Sequence, residues 1–501
     1  MPLKRNVVAN YAGQAYTVLA GVVMLPFYLE FLGAEAYGLV GFFALLHAWL
    51  SLFTAGFSPT LARQVAHHRG LGELGDGKFR ELLRSLELLV AAIAVFTVFA
   101  VWLGSDWLAG EWLRTVSLTH AEVAYCISLM GLIVGMRWGV ALYSGGLNGM
   151  EHQVWLNGFN MAFATLRFGA AYVLLRWVTR DPVHYFEFQL AVSVIELAWI
   201  ARRFYHGLPA GRGVVTSFSW PALRDVLPFT AGVAYTSMLW VLITQSDKLI
   251  LSHVLTLAEY GYFALAALIA NGVLQFSSPI QHAVSPRLTQ YFAQGREREM
   301  VALYRKTTQF VVVAVAAVSG MLAVFPRQTL FVLTGSDEAA DWGAQVLPWF
   351  ALGNGILVVA GMQFVLQYAY GKLKMHVYNT TINALIQVPI LVYVALNHGV
   401  LAVAVTWFVI RLLAFLVWPA LVHRQFLPGL HGAWLWRDVC LPAIGVLAGL
   451  VLMQGLMAWL AYWPDTRIGA ALVLCVLGLC VLLFGVLAAS ETRQMLRRSA
   501  G

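Results

Sequence analysis

Residues 28–38 read YLEFLGAEAYG and residues 252–261 read SHVLTLAEYG, so that Tyr37-Gly38 returns as Tyr260-Gly261. Each stretch joins two long apolar runs. A second echo follows the first. Gly149 is followed eight residues on by Asn157 and then by Asn160, and Gly371 is followed eight residues on by Asn379 and then by Asn383. The connectors 60–85 and 284–306 are both long and basic. The repeat carries six apolar runs in about 222 residues. An even number of spans keeps the membrane orientation, so the two copies are related by an axis along the membrane normal.

Around this repeat, the composition leaves one class. Of 501 residues, 60% are hydrophobic and 11% are charged, with a mean hydropathy of +0.74. A soluble domain carries roughly 45–50% apolar and about 25% charged residues, and a disordered chain has the opposite bias. Fourteen apolar segments are long enough to span at about 20 residues each: 8–29, 38–59, 86–104, 120–147, 154–177, 185–203, 227–252, 259–283, 307–331, 344–369, 377–396, 400–422, 439–461 and 468–489. They are called spans 1 to 14 below. The pattern predicts an all-α polytopic membrane protein of about fourteen transmembrane helices. Two six-helix lobes are related by the parallel repeat, and two extra C-terminal helices follow. The N-lobe covers 1–205, a cytoplasmic linker 206–226, the C-lobe 227–425, the added pair 438–490 and a cytoplasmic tail 491–501. The basic start Met1–Arg5 runs into span 1 with no small-residue cleavage site, so it reads as a retained span.

The net charge is +8, with 32 Lys and Arg. Alternating the connectors from a cytoplasmic N-terminus puts 23 of them inside and 5 outside, and leaves 4 within spans. That bias orients the chain with both termini in the cytoplasm, and it removes any need for a nucleic-acid partner. The four left in spans are Arg137, Arg167, Lys248 and Arg411. Charge inside a bilayer is costly and normally faces a cavity or a partner. The matching carboxylates are Glu196 and Asp247. Three arginines against one central carboxylate make a net cationic site, and guanidinium forks onto phosphate oxygens. The site therefore suits an anionic ligand, a diphosphate most naturally, unless Glu196 merely neutralises Arg167 or Arg137. Asp247 and Lys248 read either as a local ion pair or, with Glu196, as candidates for H+ or Na+ coupling.

Several spans also carry polar residues at helical spacing: Asn10, Gln14 and Thr17; Gln189, Ser193 and Glu196; Asn271, Gln275, Ser278 and His282; Gln363, Gln367 and Tyr370. Four such stripes point to a water-filled cavity between the lobes, the alternative being interhelical packing alone. Asn160 shares a face of span 5 with Arg167. Gly131, Gly135 and Gly139 form a close-packing ridge on span 4, with Arg137 on the opposite side. The scattered histidines and the four cysteines have no metal-ligand spacing, no phosphate-binding glycine loop is present, and no outer connector is large enough for a catalytic domain. No metal, no cofactor and no enzymatic activity are expected.

The ordered motifs resemble one family. Pro26-Phe-Tyr28-Leu, Leu32-Gly-Ala-Glu-Ala-Tyr37-Gly-Leu, Gly56-Phe-Ser-Pro-Thr-Leu-Ala-Arg63, Leu227-Pro228-Phe229, Asp247-Lys-Leu-Ile-Leu-Ser252, Glu259-Tyr-Gly-Tyr262 and Gly371-Lys372 resemble the polysaccharide (O-antigen and exopolysaccharide) flippases of the MOP exporter superfamily, over about residues 5–425. The resemblance implies two facing bundles, alternating access and a cationic central cavity. It also implies transfer of undecaprenyl-diphosphate-linked oligosaccharide to the outer leaflet, with membrane lipid and polysaccharide-assembly proteins as partners. Arg137, Arg167 and Arg411 fit that cavity by character and not by motif. Many such flippases have twelve spans. In the related lipid II flippases an extra pair helps form a groove for the lipid tail. The span 2 motif often has an aspartate before its glycine, and here Ala55 stands there. The rival readings are a cation-coupled drug exporter of the same superfamily, which would prefer a carboxylate-rich cavity, and a membrane glycan polymerase or ligase, which would need catalytic groups outside.

Overall fold

The computed structural model describes residues 2–71, 74, 77–209, 218–461 and 463–490. Most of the 206–226 linker's middle and the 491–501 tail lie outside the described residues, as do the side chains of Asn10, Ser278 and His282. The described residues are helical almost throughout and contain no β-strand.

Twelve helices are long and apolar enough to cross a membrane. Two of them are too long to cross once. Ala12–Phe53 has 42 residues and Lys374–Phe426 has 53, or roughly 63 and 80 Å at 1.5 Å per residue against a hydrocarbon core of about 30 Å. Each contains one break. Gly33 has φ 79° and ψ 169°, and Gly399 has φ 77° and ψ −176°. That region is essentially closed to residues with a Cβ. Divided at these glycines, the twelve helices become the fourteen spans read from the sequence. Span 9 (Glu297–Val324) lies earlier in the chain than the expected 307–331. It ends at Val324, because Pro326 lacks the amide to continue it and instead starts the separate helix Pro326–Thr334.

The chain forms two compact units, Met1–Gly261 and Tyr262–Gly501. The packing boundary therefore follows span 7, whereas the sequence repeat begins anew at span 7. In the first unit span 4 (His120–Gly149) is the central helix. It packs against span 3 (Gly77–Trp112) and span 6 (Pro182–His206). In the second unit span 9 (Glu297–Val324) packs against span 10 (Leu347–Ala369) and against the added span 13 (His431–Leu460). Spans 4 and 10, six apart in the repeat, are equally buried at 61% of their apolar windows. Spans 3 and 9 are not: 22% against 67%. Spans 13 and 14 account for the difference, because they cover span 9 and no helix among the described residues covers span 3 in the same way. Ala317 packs with Val446, Leu450 and Val481, and Phe325 with Met457 and Leu477.

Candidate functional site

Within the first unit lies a cavity of about 460 Å³, lined by His47 and Ser58 on the chain of span 2, Arg137 on span 4, Arg167 on span 5, Glu196 on span 6 and Ser237 on span 7. Span 4 reaches it with Arg137, Trp138 and Ala141, while Gly135 and Gly139 lie on its opposite side, as the helical phase requires. The Arg137 guanidinium stands 5.1 Å over the Phe43 ring. Its Nε is buried with no hydrogen-bond partner, and so is Nδ1 of His47.

Arg167 forms an ion pair with Glu196, which is 6% exposed. The local backbone explains how Arg167 is presented. Residues Leu166–Ala170 form a single π-helical turn between the α-helices Gln153–Thr165 and Ala171–Trp177. A π-turn widens the helix and frees carbonyls from the usual ladder. Two of them find partners outside the helix. The Tyr28 hydroxyl donates to the carbonyls of Arg167 and Phe168 at 3.4 and 3.3 Å, and Gln189 Nε2 donates to the Arg167 carbonyl at 3.2 Å. The span 6 stripe thus works as a unit: Gln189 holds the bulge, Ser193 donates back to the Gln189 carbonyl, and Glu196 takes the guanidinium. One carboxylate faces two guanidinium groups, and the lining keeps a net positive charge. An anion could take the donors that remain.

The other expected residues are placed as follows. Asn160 is exposed on span 5 and does not line this cavity. Asp247 is fully buried on span 7, with Lys248 Nζ 3.6 Å from its Oδ1, and Lys248 also donates to the Thr244 carbonyl at 2.6 Å. Asn271, Gln275, Gln363, Gln367 and Arg411 belong to the second unit. Asn271 accepts from Asn354 Nδ2 at 3.2 Å, and Gln275 is exposed. Gln363 and Gln367 are 3% and 0% exposed, with Gln363 Nε2 donating to the Tyr304 hydroxyl and Gln367 Nε2 to the Gln363 carbonyl. Arg411 is buried at 5%, its guanidinium 4.5 Å over Trp407. Sequence reasoning missed two residues that the fold uses. His47 lines the cavity, although nothing in its spacing marks it. Asp438 is fully buried on the arm of span 13, paired with Arg305. Its one signal was a carboxylate bordering an apolar run.

Residues 3–292, more than half of the chain, match the polysaccharide biosynthesis protein family. The chain belongs to that family. Residues 233–394 also match the MatE family. Among solved structures, the lipid II flippase MurJ in an inward closed conformation superposes with a TM-score of 0.67 at 11% identity, over 96% of this chain and 98% of that one. An inward-facing multidrug resistance MATE transporter of the MOP superfamily gives 0.63 at 13% identity, over 81% and 94%. An outward-facing MATE transporter gives 0.54 at 15% identity, over 85% and 95%. At these identities the likeness shows the fold alone, a MOP-superfamily transporter fold. No curated protein matches.

The family-like stretches of the first unit interlock in space. At the end of the bundle where spans 1 and 2 join, a Cβ on Gly38 would lie 2.0 Å from the Leu257 carbonyl oxygen, and one on Gly261 would lie 2.5 Å from the Ala34 carbonyl oxygen. Leu257 and Ala34 each precede the partner glycine by four residues. The two copies of the Tyr-Gly motif therefore cross in a reciprocal contact that only glycines permit. At the other end, Gly56 meets the Thr230 backbone, the Thr60 and Thr230 hydroxyls are 2.8 Å apart, and Arg63 stands 4.7 Å over the Phe229 ring. Span 2 is thus held at one end to the start of span 8 and at the other to span 7.

Proposed function

We propose that the protein is a flippase that moves undecaprenyl-diphosphate-linked oligosaccharide from the cytoplasmic to the outer leaflet of a bacterial inner membrane by alternating access. The observation that carries this reading is the cavity in which Arg137 and Arg167 face the single carboxylate Glu196, in a chain of the polysaccharide biosynthesis protein family. A diphosphate supplies the acceptor oxygens that two guanidinium groups leave unfilled. Glu196 limits the surplus to about one charge, which favours release as well as binding. The basic connectors support a cytoplasmic entry side for the site. H+ or Na+ coupling through Glu196 or Asp247, and association with polysaccharide-assembly proteins, belong to the same reading.

The MatE match and the MATE superpositions favour a second reading, a cation-coupled drug exporter. The cavity charge opposes it, because a cationic drug would meet two arginines. Deletion of the gene, followed by a leaflet-resolved assay of lipid-linked oligosaccharide, decides between them. Accumulation on the cytoplasmic side supports the flippase. Unchanged oligosaccharide together with drug sensitivity supports the exporter. Arg137→Ala, Arg167→Ala and Arg411→Ala should each lower surface polysaccharide at normal protein level, and full activity in all three would remove the site assignment.

A further inference from the structure

On the side of span 4 away from the cavity, spans 3, 4 and 6 enclose an apolar groove of about 590 Å³. Its walls are Ala94 and Val98 of span 3 and Leu197 of span 6, and its floor is Gly135 and Gly139 of span 4. From Val90 to Trp102 it follows span 3 for ~18 Å, close to half of a bilayer's hydrocarbon core. Along the rim Val95, Phe99 and Trp102 are more than half exposed. One end is polar. Glu87 Oε1 accepts from the Tyr143 hydroxyl at 2.9 Å and from the Tyr205 hydroxyl, and Arg84 Nη1 lies 3.5 Å from Glu87 Oε2. The Glu87 side chain is 9% exposed and that of Arg84 is 51% exposed.

The repeat shows what such a face is for. Shifted by 222 residues, Ala94, Val95, Phe99 and Trp102 fall on Ala316, Ala317, Met321 and Val324, the residues of span 9 that pack against spans 13 and 14. Glu87 falls on Gln309, which donates to Asp438 Oδ1 of span 13 at 2.8 Å. The second unit covers this face with its own helices and fastens them at position 309. In the first unit no described helix covers the face, which forms the groove and carries an acid with an exposed arginine at its mouth.

We propose that this groove is a binding site for one acyl chain of an amine-bearing zwitterionic phospholipid, of the phosphatidylethanolamine class. The chain lies over Gly135 and Gly139, the ammonium meets Glu87 and the phosphate meets Arg84. Charge selects this occupant. A prenyl diphosphate or phosphatidylglycerol would bring net negative charge to Glu87 with no ammonium to offset it, and a phospholipid with both charges matches an acid and a base one helical turn apart.

The test is native mass spectrometry of the full-length protein with palmitoyl-oleoyl phosphatidylethanolamine, the matching phosphatidylglycerol or undecaprenyl diphosphate. One phosphatidylethanolamine should be retained in preference to the other two. Ala94→Phe, which fills the groove, should abolish retention. Glu87→Gln keeps the tyrosine hydrogen bonds and should weaken retention roughly tenfold, the worth of one charge-assisted contact. A thermal melt of each variant shows that it is folded. Equal retention of the two phospholipids, displacement by undecaprenyl diphosphate, a co-purifying membrane protein in place of lipid, or full retention by folded Ala94→Phe would each overturn the proposal.

Discussion

Two ion pairs between an arginine and a buried carboxylate invite comparison, Arg167 with Glu196 in the first unit and Arg305 with Asp438 in the second. Their chemistry is the same and their surroundings are opposite. Asp438 is saturated: Arg305 Nε and Nη2 reach its two oxygens at 2.6 and 3.2 Å, and Gln309 Nε2 adds a third bond at 2.8 Å. Nearby, Gln363 donates to the Tyr304 hydroxyl, which lies 3.0 Å from His423 Nε2, and His423 Nδ1 lies 3.1 Å from His431 Nδ1. These contacts tie span 13 to spans 9, 10 and 12. Around Arg167 the accounting stays open, with a second guanidinium, an unpartnered Arg137 Nε, an unpartnered His47 Nδ1 and a cavity for them to face. Polar groups that satisfy one another hold helices together, and polar groups with donors to spare around a cavity are available to a ligand.

The sharpest way to break this contrast is at its saturated end. Asp438→Ala takes the carboxylate away from the Arg305 guanidinium and from Gln309, and breaking a buried pair by removing one partner costs about 3–5 kcal/mol. The melting temperature in detergent should fall accordingly, and the protein should be lost from the membrane before any specific change in transport. A variant as stable as the parent would show that span 13 is held by its apolar contacts alone.

Glu196→Gln should be milder. The glutamine carbonyl still accepts from Arg167, and the cavity lets water or an anion reach the uncompensated charge, so a loss of about 1 kcal/mol is expected. Pyrophosphate should then raise the melting temperature of Glu196→Gln, because binding to the folded state stabilises it by mass action. The rise should exceed that of the parent, whereas Asp438→Asn, whose cavity is unchanged, should rise no more than the parent does. Equal responses would mean that the two pairs do not differ in accessibility.

This contrast was only partly legible in the sequence. The spans were legible because twenty apolar residues in a row have one stable use, and so was the repeat, because Tyr37-Gly38 and Tyr260-Gly261 meet at a crossing that admits no side chain. The burial of Gln363 and Gln367 was not, since a polar stripe has the same period whether it faces water or another stripe. The π-turn at 166–170 was not legible either, because it departs from the 3.6-residue period on which the reading of a helical face depends. In the sequence Arg305 reads as one more basic connector residue. Only its partner 133 positions later makes it structural, and pairing at that distance leaves no local trace.

Arg137→Ala should have the smallest effect on stability and the greatest value as a test. Arg137 makes no ion pair with a carboxylate among the described residues, and its guanidinium lies over the face of Phe43. A cation over an aromatic ring contributes about 0.5–2 kcal/mol, and removing the guanidinium also removes the penalty of keeping a charge in the bundle. The two terms oppose, so the melting temperature should stay within a few degrees of the parent. Transport should not. If the cavity holds a diphosphate, Arg137 is the one guanidinium there that no carboxylate already occupies, so its loss removes more anion affinity than the loss of the Glu196-paired Arg167. Pyrophosphate protection against thermal unfolding should therefore fall further in Arg137→Ala than in Arg167→Ala, while Arg167→Ala, which strands Glu196, should be the less stable of the two. The reverse order in both measurements would assign the binding role to the paired arginine and leave Arg137 a packing residue.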